Sequence, residues 1–203
     1  MAKILGVYRH RMGSDGDGVT TLVGFYGCPL RCKYCLNPKC FDKKAKTQEL
    51  SPPELYEKVK IDDLYFKATG GGVTFGGGEP LMNSSFISDF RRLCGDVWRI
   101  NCETSLNVPS ENLLEAIDSI DCFFVDVKDI NPDVYRSYTG QGNDLVLENL
   151  KLLLSKKGSD AITVRLPLIK GFNTEADREK SEELLRHLGI TKFDKFEYVI
   201  KET

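Results

Sequence analysis

Three cysteines stand close together near the start of the chain, at spacings of four and then three positions: Cys28, Cys32 and Cys35. The chain holds seven cysteines, an odd number, and its first residues lack the apolar run of a signal peptide. A disulfide framework is therefore not expected. The pattern favours thiols that are kept reduced so that they can bind a metal or react.

Which metal these thiols would bind depends on how many further ligands the chain supplies. A structural zinc site takes four protein ligands, and the sequence offers only His10 and His187 as histidines, so zinc is a poor fit. An electron-transfer [4Fe-4S] cluster takes four thiolates, for which Cys40 is the candidate fourth ligand. Three thiolates alone would leave one iron open to an outside ligand, which is a catalytic arrangement. Both iron-sulfur interpretations remain open at this point.

Glycine dominates a second segment, residues 70–80, which reads GGGVTFGGGEP. No Gly-Lys-Ser/Thr sequence follows, so this is not a phosphate loop. Glycines at the end of a strand allow backbone groups to approach a polar ligand closely, and Glu79 adds a carboxylate that could hold an ammonium group. The alternative is two flexible turns around a short strand, because a glycine cluster alone is not specific.

Asp126 and Lys128 lie two residues apart at the end of another predicted strand, so their side chains project to the same face. They form a candidate polar pair for a site. The alternative is an ion pair that fills the interior of the fold.

Strands and helices alternate along the chain, which predicts a parallel sheet with right-handed crossovers. The predicted strands cover residues 20–26, 72–75, 97–102, 122–127, 161–169 and 193–201, and the predicted helices cover 51–60, 84–93, 109–119, 144–156 and 174–188. A complete eightfold barrel takes about 250 residues. Six strands therefore predict an α/β fold with a partial, open (βα)6 TIM-like barrel, with a doubly wound open sheet as the alternative.

The unusual residues fall at the ends of successive predicted strands. The cysteine loop follows the first strand, Glu79 follows the second, Glu103 and Thr104 follow the third, and Asp126 ends the fourth. In parallel α/β folds the chemistry gathers at the carboxyl ends of the strands. Four clusters at one face therefore predict a single site.

Composition and charge exclude several classes of function. The 41% hydrophobic content suits one domain over residues 1–203, with residues 1–19 as an N-terminal extension packed on the barrel. No apolar run reaches the roughly 18 residues that a membrane span needs, so we expect a cytoplasmic protein without a membrane partner. A net charge of -2 gives no electrostatic case for binding nucleic acid.

The motifs taken together resemble those of a known superfamily. The spacing Cys28-x3-Cys32-x2-Cys35, with Tyr34 before the last cysteine and GGGEP on the second strand, is similar to that of the radical S-adenosylmethionine enzymes. With FVDVK at residues 124–128, the chain resembles the glycyl radical enzyme activating enzymes, of the pyruvate formate-lyase activating type. The resemblance extends over about residues 16–169, most of the chain.

The resemblance implies a role for each motif. One [4Fe-4S] cluster would be bound by the three cysteines, Cys28, Cys32 and Cys35. The fourth iron would be chelated by the amino and carboxylate groups of S-adenosylmethionine. Tyr34 would lie near the adenine, and Lys128 would reach the methionine carboxylate. The methionine amino group would be bound by the glycine-rich segment, Gly76, Gly77, Gly78 and Glu79.

The resemblance also implies a monovalent cation beside S-adenosylmethionine. In the family, an Asp-Thr pair after the third strand and the aspartate of an Asp-x-Lys motif surround this cation. The matching residues here are Glu103, Thr104 and Asp126, so Glu replaces Asp and the presence of the cation is left open. Arg165 matches a family arginine near the active site, and with Asp126 and Lys128 it forms the expected catalytic set.

In this family S-adenosylmethionine is cleaved reductively, and the 5'-deoxyadenosyl radical that results abstracts a hydrogen atom. For an activating enzyme the substrate is the glycine α-hydrogen of a partner glycyl radical enzyme, and flavodoxin or ferredoxin is the expected electron donor. Two alternatives stay open. One is radical chemistry on another peptide or a small molecule, and the other is a non-catalytic iron-sulfur or zinc protein.

Overall fold

Eight strands form one sheet in the computed structural model, which describes residues 1–198. The strands are β1 (Ala2–Met12), β2 (Val19–Phe25), β3 (Gln48–Leu50), β4 (Gly72–Gly77), β5 (Arg99–Thr104), β6 (Cys122–Asp126), β7 (Ile162–Leu168) and β8 (Lys192–Glu197). Their order in the sheet is β3-β1-β2-β4-β5-β6-β7-β8, with β3 and β8 at the two edges. The sheet is therefore open and not a closed barrel.

Six of these strands, β2 and β4 to β8, run parallel and follow one another in sequence order. A doubly wound sheet reverses its strand order at a switch point, and these six strands show no reversal. The predicted partial barrel of six parallel strands is therefore confirmed. The predicted sixth strand runs to residue 201, whereas β8 ends at Glu197. Residues 199–201 of that predicted strand lie outside the described residues.

Helices cover the sheet between successive parallel strands. They are α1 (Pro52–Val59), α2 (Asp63–Thr69), α3 (Ser84–Cys94), α4 (Ser110–Ala116), α5 (Pro132–Thr139), α6 (Asp144–Lys157) and α7 (Glu175–His187). A reciprocal capping box between Ser51 and Glu54 begins α1, as the sequence predicts. Two short helices, α2 and α5, were not predicted. For α5 the signal was present, because Asn131 caps the helix by accepting from Asp133 N–H, Pro132 follows as its first residue, and Gly140 ends it at φ +78°.

Two antiparallel strands that the sequence analysis did not predict extend the sheet, β1 within residues 1–19 and β3 after the cysteine loop. Strand β1 pairs with β2, and β3 pairs with the start of β1. The register of β1 shifts twice along β2, which breaks the regular alternation that marks a strand in a sequence. The turn after β1 packs into the sheet, where the Asp15 carbonyl accepts hydrogen bonds from Thr74 Oγ1 at 2.5 Å and Asn101 Nδ2 at 3.2 Å.

The core lies between the sheet and its helices. Phe75 on β4 stacks on Phe25 of β2 with a centroid distance of 5.5 Å, and it contacts Phe90 of α3 edge-on at 5.4 Å. All three rings are fully buried. Each buried aromatic side chain of this size contributes about 1.5–3 kcal/mol through its removal from water. This packing fixes β2 and β4 side by side, so that the loops that follow them are neighbours. None of the helices within residues 1–198 combines the length and apolar character needed to cross a membrane.

Candidate active site

The cysteine loop follows β2 directly and is held by backbone hydrogen bonds from two directions. Gly27 N–H donates to the Cys40 carbonyl at 2.7 Å, and Arg31 N–H donates to the Thr139 carbonyl at 2.8 Å. Gly27 has φ +101°, a backbone conformation that residues other than glycine rarely adopt. The loop is therefore anchored between the segment of Cys40 and the end of α5, and it presents its thiols at the carboxyl end of the sheet.

The three thiols differ in their surroundings although all are free and half-buried. Burial raises the pKa of the Cys32 thiol to about 11. A hydrogen bond with Cys40 lowers the pKa of Cys35 to about 6 and also lowers the pKa of Cys28 below its ordinary value. Cys40 itself is fully buried. Its thiol therefore lies against two of the three cysteines proposed as ligands.

The spacing of the thiols bears on what they could bind. Within residues 1–198, no group of three His, Cys, Asp or Glu side chains converges closely enough to hold a single metal ion. A zinc ion would need its ligand atoms about 2.0–2.3 Å from the metal. All three thiols nonetheless line one cavity, as a cluster with several irons requires. The loop therefore fits an iron-sulfur cluster and does not fit zinc.

The glycine-rich segment packs so tightly on the cysteine loop that side chains are excluded. A Cβ atom on Gly78 would lie 2.0 Å from the Gly27 carbonyl oxygen, and one on Gly77 would lie 2.7 Å from Gly24 Cα. Glu79 N–H also donates to the Gly27 carbonyl at 2.8 Å. Glycine at these positions is thus a steric requirement, and it leaves backbone groups at the cavity surface within reach of a ligand.

Glu79 turns its carboxylate into the protein. Oε1 accepts hydrogen bonds from Thr104 Oγ1 at 2.6 Å and Leu81 N–H at 3.2 Å, and Oε2 accepts from Ser105 Oγ at 2.6 Å and Ser105 N–H at 2.9 Å. Burial raises the pKa of Glu79, and these donors oppose that rise. The sequence suggested that this carboxylate holds an ammonium group. In the structure it binds protein donors instead and fixes the loop after β5.

Lys128 is a buried cation at the carboxyl end of β6. Its Nζ lies 3.2 Å from Asp126 Oδ1 and donates to Tyr198 Oη at 2.9 Å. Burial opposes the charge, but Asp126 and Tyr198 together raise the pKa of Lys128 well above its ordinary value. The ammonium group is therefore charged and is held at the cavity wall with a defined direction.

Arg165 and Glu103 form a second ion pair in the cavity. Arg165 Nη1 donates to Glu103 Oε1 at 2.8 Å, and Nη2 donates to the Ser14 carbonyl at 3.2 Å. The guanidinium carbon lies 4.8 Å above the ring of Phe124. Burial raises the pKa of Glu103, and Arg165 opposes that rise. The pair links β5 to β7 across β6.

One cavity of about 560 Å³ collects most of the predicted site residues. The predicted residues that line it are Cys28, Cys32, Cys35, Gly77, Gly78, Glu79, Glu103, Thr104, Asp126, Lys128 and Arg165. Tyr34 and Gly76 are not among the residues lining it. The Tyr34 ring instead packs against Tyr138 and Phe172, with centroids 6.1 and 5.7 Å away.

The cavity also contains residues that the sequence analysis did not select. Tyr198, which follows the last strand, is one of them. Its position at the carboxyl end of a parallel strand is the sequence signal that could have identified it. Arg11, near the end of β1, forms an ion pair with Asp15 in the turn that follows. No local pattern marks this pair as part of the site, because β1 reaches the cavity only through its pairing with β2.

Comparison with known proteins places these features in a family. A family model described as the radical SAM superfamily matches residues 22–185. The chain is 32% identical to the pyruvate formate-lyase 2-activating enzyme of Escherichia coli K12, over 91% of this chain and 72% of that protein. It is 37% identical to the pyruvate formate-lyase-activating enzyme of Clostridium pasteurianum, over 63% of this chain and 53% of that protein.

Solved structures support the same fold at lower identity. SuiB of Streptococcus suis bound to S-adenosylmethionine superposes with a TM-score of 0.66 and 12% identity, covering 87% of this chain and 39% of SuiB. A second structure, a histidine-tagged form of anSMEcpe with bound AdoMet, gives a TM-score of 0.61 and 13% identity, covering 85% of this chain and 49% of that one. These similarities concern the fold alone.

Proposed function

Because the chain belongs to the radical S-adenosylmethionine superfamily, a class of enzymes that uses a [4Fe-4S] cluster and S-adenosylmethionine, we propose that it activates a partner enzyme by abstracting one glycine α-hydrogen. The observation that carries the proposal is the cavity itself. The cysteine loop, the glycine-rich segment and Lys128 approach one another there from three different strand ends. Several relatives are activating enzymes for other enzymes, which supports a protein substrate.

The chain's own residues divide the binding task. The three thiols would hold three irons of one cluster, and their loop is already fixed by hydrogen bonds. Gly77 and Gly78 would offer backbone groups to the methionine amino end, since Glu79 is committed to protein donors. Lys128 would pair with the methionine carboxylate, because a buried ammonium group makes a strong charge-assisted hydrogen bond. Tyr34 would lie near the adenine, and its ring now packs against Tyr138 and Phe172.

When bound, the reduced cluster supplies the electron that cleaves S-adenosylmethionine and yields the 5'-deoxyadenosyl radical. The protein's part is to orient the sulfonium compound and to exclude water from the carbon that becomes the radical. Lys128 would hold the carboxylate of the methionine moiety and the glycine segment would hold its amino group, so that the reacting sulfonium is held in one position. Asp126 keeps Lys128 charged and directed. Arg165 and Glu103 close the cavity on the side of β7.

The partner would reach the cavity from the open side of the sheet. The two edge strands, β3 and β8, do not meet, so the sheet leaves a lateral gap. Leu36 of the cysteine loop lines the cavity and is 79% exposed. A large exposed apolar side chain next to a polar cavity is typical of a contact with another protein. A glycine in an extended loop is small enough to enter such a gap.

Electron supply would come from an acidic redox protein such as flavodoxin or ferredoxin. Residues 31–46 carry six Lys and Arg side chains against one Asp, although the whole chain has a net charge of -2. All six are exposed: Arg31, Lys33, Lys39, Lys43, Lys44 and Lys46. This basic segment, residues 31–46, contains the last two cysteine ligands. A negatively charged donor attracted to it would therefore dock close to the cluster.

The proposal is tested by anaerobic reconstitution of the wild-type protein and of Cys32→Ala, followed by reduction and addition of S-adenosylmethionine. We expect 5'-deoxyadenosine from the wild type alone. Addition of a candidate glycyl radical enzyme should then produce an organic radical signal in electron paramagnetic resonance. Coupling to the remaining glycine α-hydrogen should split this signal into a doublet. Cleavage without this signal would point to a different substrate, and no cleavage by a fully loaded protein would point to a redox cluster with Cys40 as fourth ligand.

A further inference from the structure

The pair of Arg165 and Glu103 lies where the family resemblance implies a monovalent metal cation. That cation would be surrounded by the residues at positions 103, 104 and 126. In this chain Glu103 is one methylene longer than the aspartate of the family pattern, and its carboxylate reaches the guanidinium of Arg165 at 2.8 Å. The carboxylate is mostly buried, with 19% of the side chain exposed. The charge that would attract a cation is therefore already paired.

Arg165 is held in this position by the sheet itself. It stands directly beside Asp126 in the parallel register of β6 and β7. Its guanidinium packs over the Phe124 ring, donates to the Ser14 carbonyl and lies 3.6 Å from Asp194 through Nε. Both Glu103 and Asp126 raise the pKa of Arg165 against the effect of its burial. A side chain fixed by this many contacts does not leave the site to admit an ion.

The remaining side chains of the implied cation site are committed in the same way. Thr104 Oγ1 donates to Glu79 and accepts a hydrogen bond from Leu106 N–H at 2.9 Å. The Asp126 carboxylate lies 3.2 Å from the Lys128 ammonium. A monovalent cation needs several oxygen ligands that are free to turn towards it. Each side chain of this set already has a partner in the protein, so the residues present do not fit the cation.

The glycine-rich segment makes room for the longer side chain. A Cβ atom on Gly76 would lie 2.7 Å from Glu103 Oε2. Gly76 does not line the cavity, so its role is to leave space for Glu103, and the backbone of its neighbours remains available to a ligand. The steric fit between Gly76 and Glu103 thus supports the direction in which the carboxylate points.

We propose that the Arg165 guanidinium is the permanent cation of this site, and that the enzyme therefore binds and cleaves S-adenosylmethionine without any monovalent metal cation. The inference rests on the proposed function, since it concerns the same S-adenosylmethionine site. Arg165 acts as a positioning residue. It neutralises Glu103 and stands beside Asp126 in the strand register, so that the negative methionine carboxylate can lie next to Lys128 without repulsion from an unpaired Glu103.

The first test uses the reconstituted wild-type protein under anaerobic conditions. The dissociation constant of S-adenosylmethionine is measured by equilibrium dialysis in potassium, sodium or choline chloride at equal ionic strength, and 5'-deoxyadenosine is quantified in the same buffers. We expect dissociation constants that agree within about twofold in all three salts. Binding at least about tenfold tighter in potassium or sodium than in choline would overturn the inference and leave the proposed function intact.

The second test creates the missing cation site. Arg165→Met leaves the Glu103 carboxylate without its cation. In choline chloride the dissociation constant of the variant should therefore rise about tenfold or more, and potassium should restore part of the loss. Arg178→Met is the matched control, because Arg178 has the same 14% side-chain exposure, is paired with Glu175 and does not line the cavity. Its dissociation constant should stay at the wild-type value in every salt.

The outcomes separate the two proposals. Loss of binding in Arg165→Met with no response to potassium would show that Arg165 does not stand in for a cation, and it would overturn the inference. Absence of both binding and cleavage by the wild type in every salt would contradict the proposed function and this inference with it. Thermal unfolding of each variant in choline chloride identifies a loss of binding that comes from misfolding. If Arg165→Met is misfolded, the comparison of the three salts on the wild type tests the inference by itself.

Discussion

The Thr104 hydroxyl donates a hydrogen bond to Glu79 Oε1 at 2.6 Å, and this bond joins the loop after β4 to the end of β5. Ser105 adds two further hydrogen bonds to the same carboxylate. The glutamate of the GGGEP segment is therefore a brace between two strand ends. It lies in the cavity wall, where its carboxylate is hydrogen-bonded to the residues that follow β5.

Replacement of Glu79 by Gln should destabilise the protein. The amide nitrogen of Gln is a donor, and it would face N–H or O–H groups that now donate hydrogen bonds to the carboxylate. We expect a loss of about 2 kcal/mol in the free energy of unfolding. Glu148→Gln, at an exposed position of α6, is the control and should change stability by less than about 0.5 kcal/mol. Urea titration followed by circular dichroism measures both. Equal stability of the two variants would contradict the role of Glu79 as a brace.

Replacement of Lys128 by Met should weaken the binding of S-adenosylmethionine strongly. The variant removes the buried ammonium group and leaves Asp126 to face the methionine carboxylate, so we expect the dissociation constant to rise about 30-fold or more. Anaerobic equilibrium dialysis of the reconstituted protein gives the value. Lys151→Met, at an exposed position of α6, should bind as the wild type does. An unchanged dissociation constant in Lys128→Met would exclude a contact between this residue and the ligand.

Cys40 should be dispensable for the cluster. Its thiol is buried against Cys28 and Cys35, but three thiolates complete the expected ligand set. Cys40→Ala should therefore retain the iron and sulfide content of the wild type, whereas Cys32→Ala should lose most of both. Chemical iron and sulfide determination after anaerobic reconstitution distinguishes the variants. Loss of iron from Cys40→Ala would identify Cys40 as a fourth ligand.

Reduction by an acidic electron donor should depend on the basic segment, residues 31–46. Reversing two exposed charges at once, with Lys43→Glu and Lys44→Glu, should slow the reduction of the cluster by flavodoxin at low ionic strength about tenfold. The difference should shrink as salt is added, because exposed charges are screened over a Debye length of about 8 Å at physiological salt.

A paired charge reversal elsewhere on the protein, Lys156→Glu with Lys157→Glu at the end of α6, is the control. Stopped-flow absorbance of the cluster follows the rate, and equal slowing by both pairs would indicate a net-charge effect only.

Asp62 should make stability depend on pH in acid. Its side chain is fully buried and accepts hydrogen bonds from Arg9 Nε at 2.9 Å and from Thr21 Oγ1 at 2.9 Å. Burial alone would raise the pKa of Asp62, but these partners lower it below its ordinary value. The unfolded state therefore binds the proton more tightly, and the stabilisation is present above about pH 4 and is lost as the pH falls through the lowered pKa.

The change Asp62→Asn tests this linkage. It should cost about 1–2 kcal/mol at pH 7, because Arg9 and Thr21 lose hydrogen bonds to a buried carboxylate. The variant should also lose stability less steeply than the wild type between pH 4 and pH 2, since the titrating carboxyl group is gone. Urea titrations at several pH values give the dependence of the free energy of unfolding on pH for the variant and for the wild type. Parallel loss of stability with pH in the two proteins would assign the acid sensitivity to other groups.

The sequence predicted the parallel strands and most of the residues that line the cavity from local patterns. Each of the cysteine loop, the GGGEP segment and the Asp126–Lys128 pair directly follows or ends a strand, and parallel topology brings such ends to one face. The pairing of Arg165 with Glu103 did not follow from these patterns. The two residues are far apart in the chain, and which cation meets which carboxylate depends on the register of three neighbouring strands.

By itself, the sequence determined the fold class and the six parallel strands, and it predicted the cysteine loop as the place of an iron-sulfur cluster, because hydrophobic periodicity and motif spacing are local properties. Only the tertiary structure decided that Glu79 faces protein donors, that Arg165 pairs with Glu103, and that β1 and Tyr198 belong to the site. These features depend on contacts between residues distant in the chain. Burial decides them, since a buried carboxylate or cation must find a partner wherever the fold supplies one.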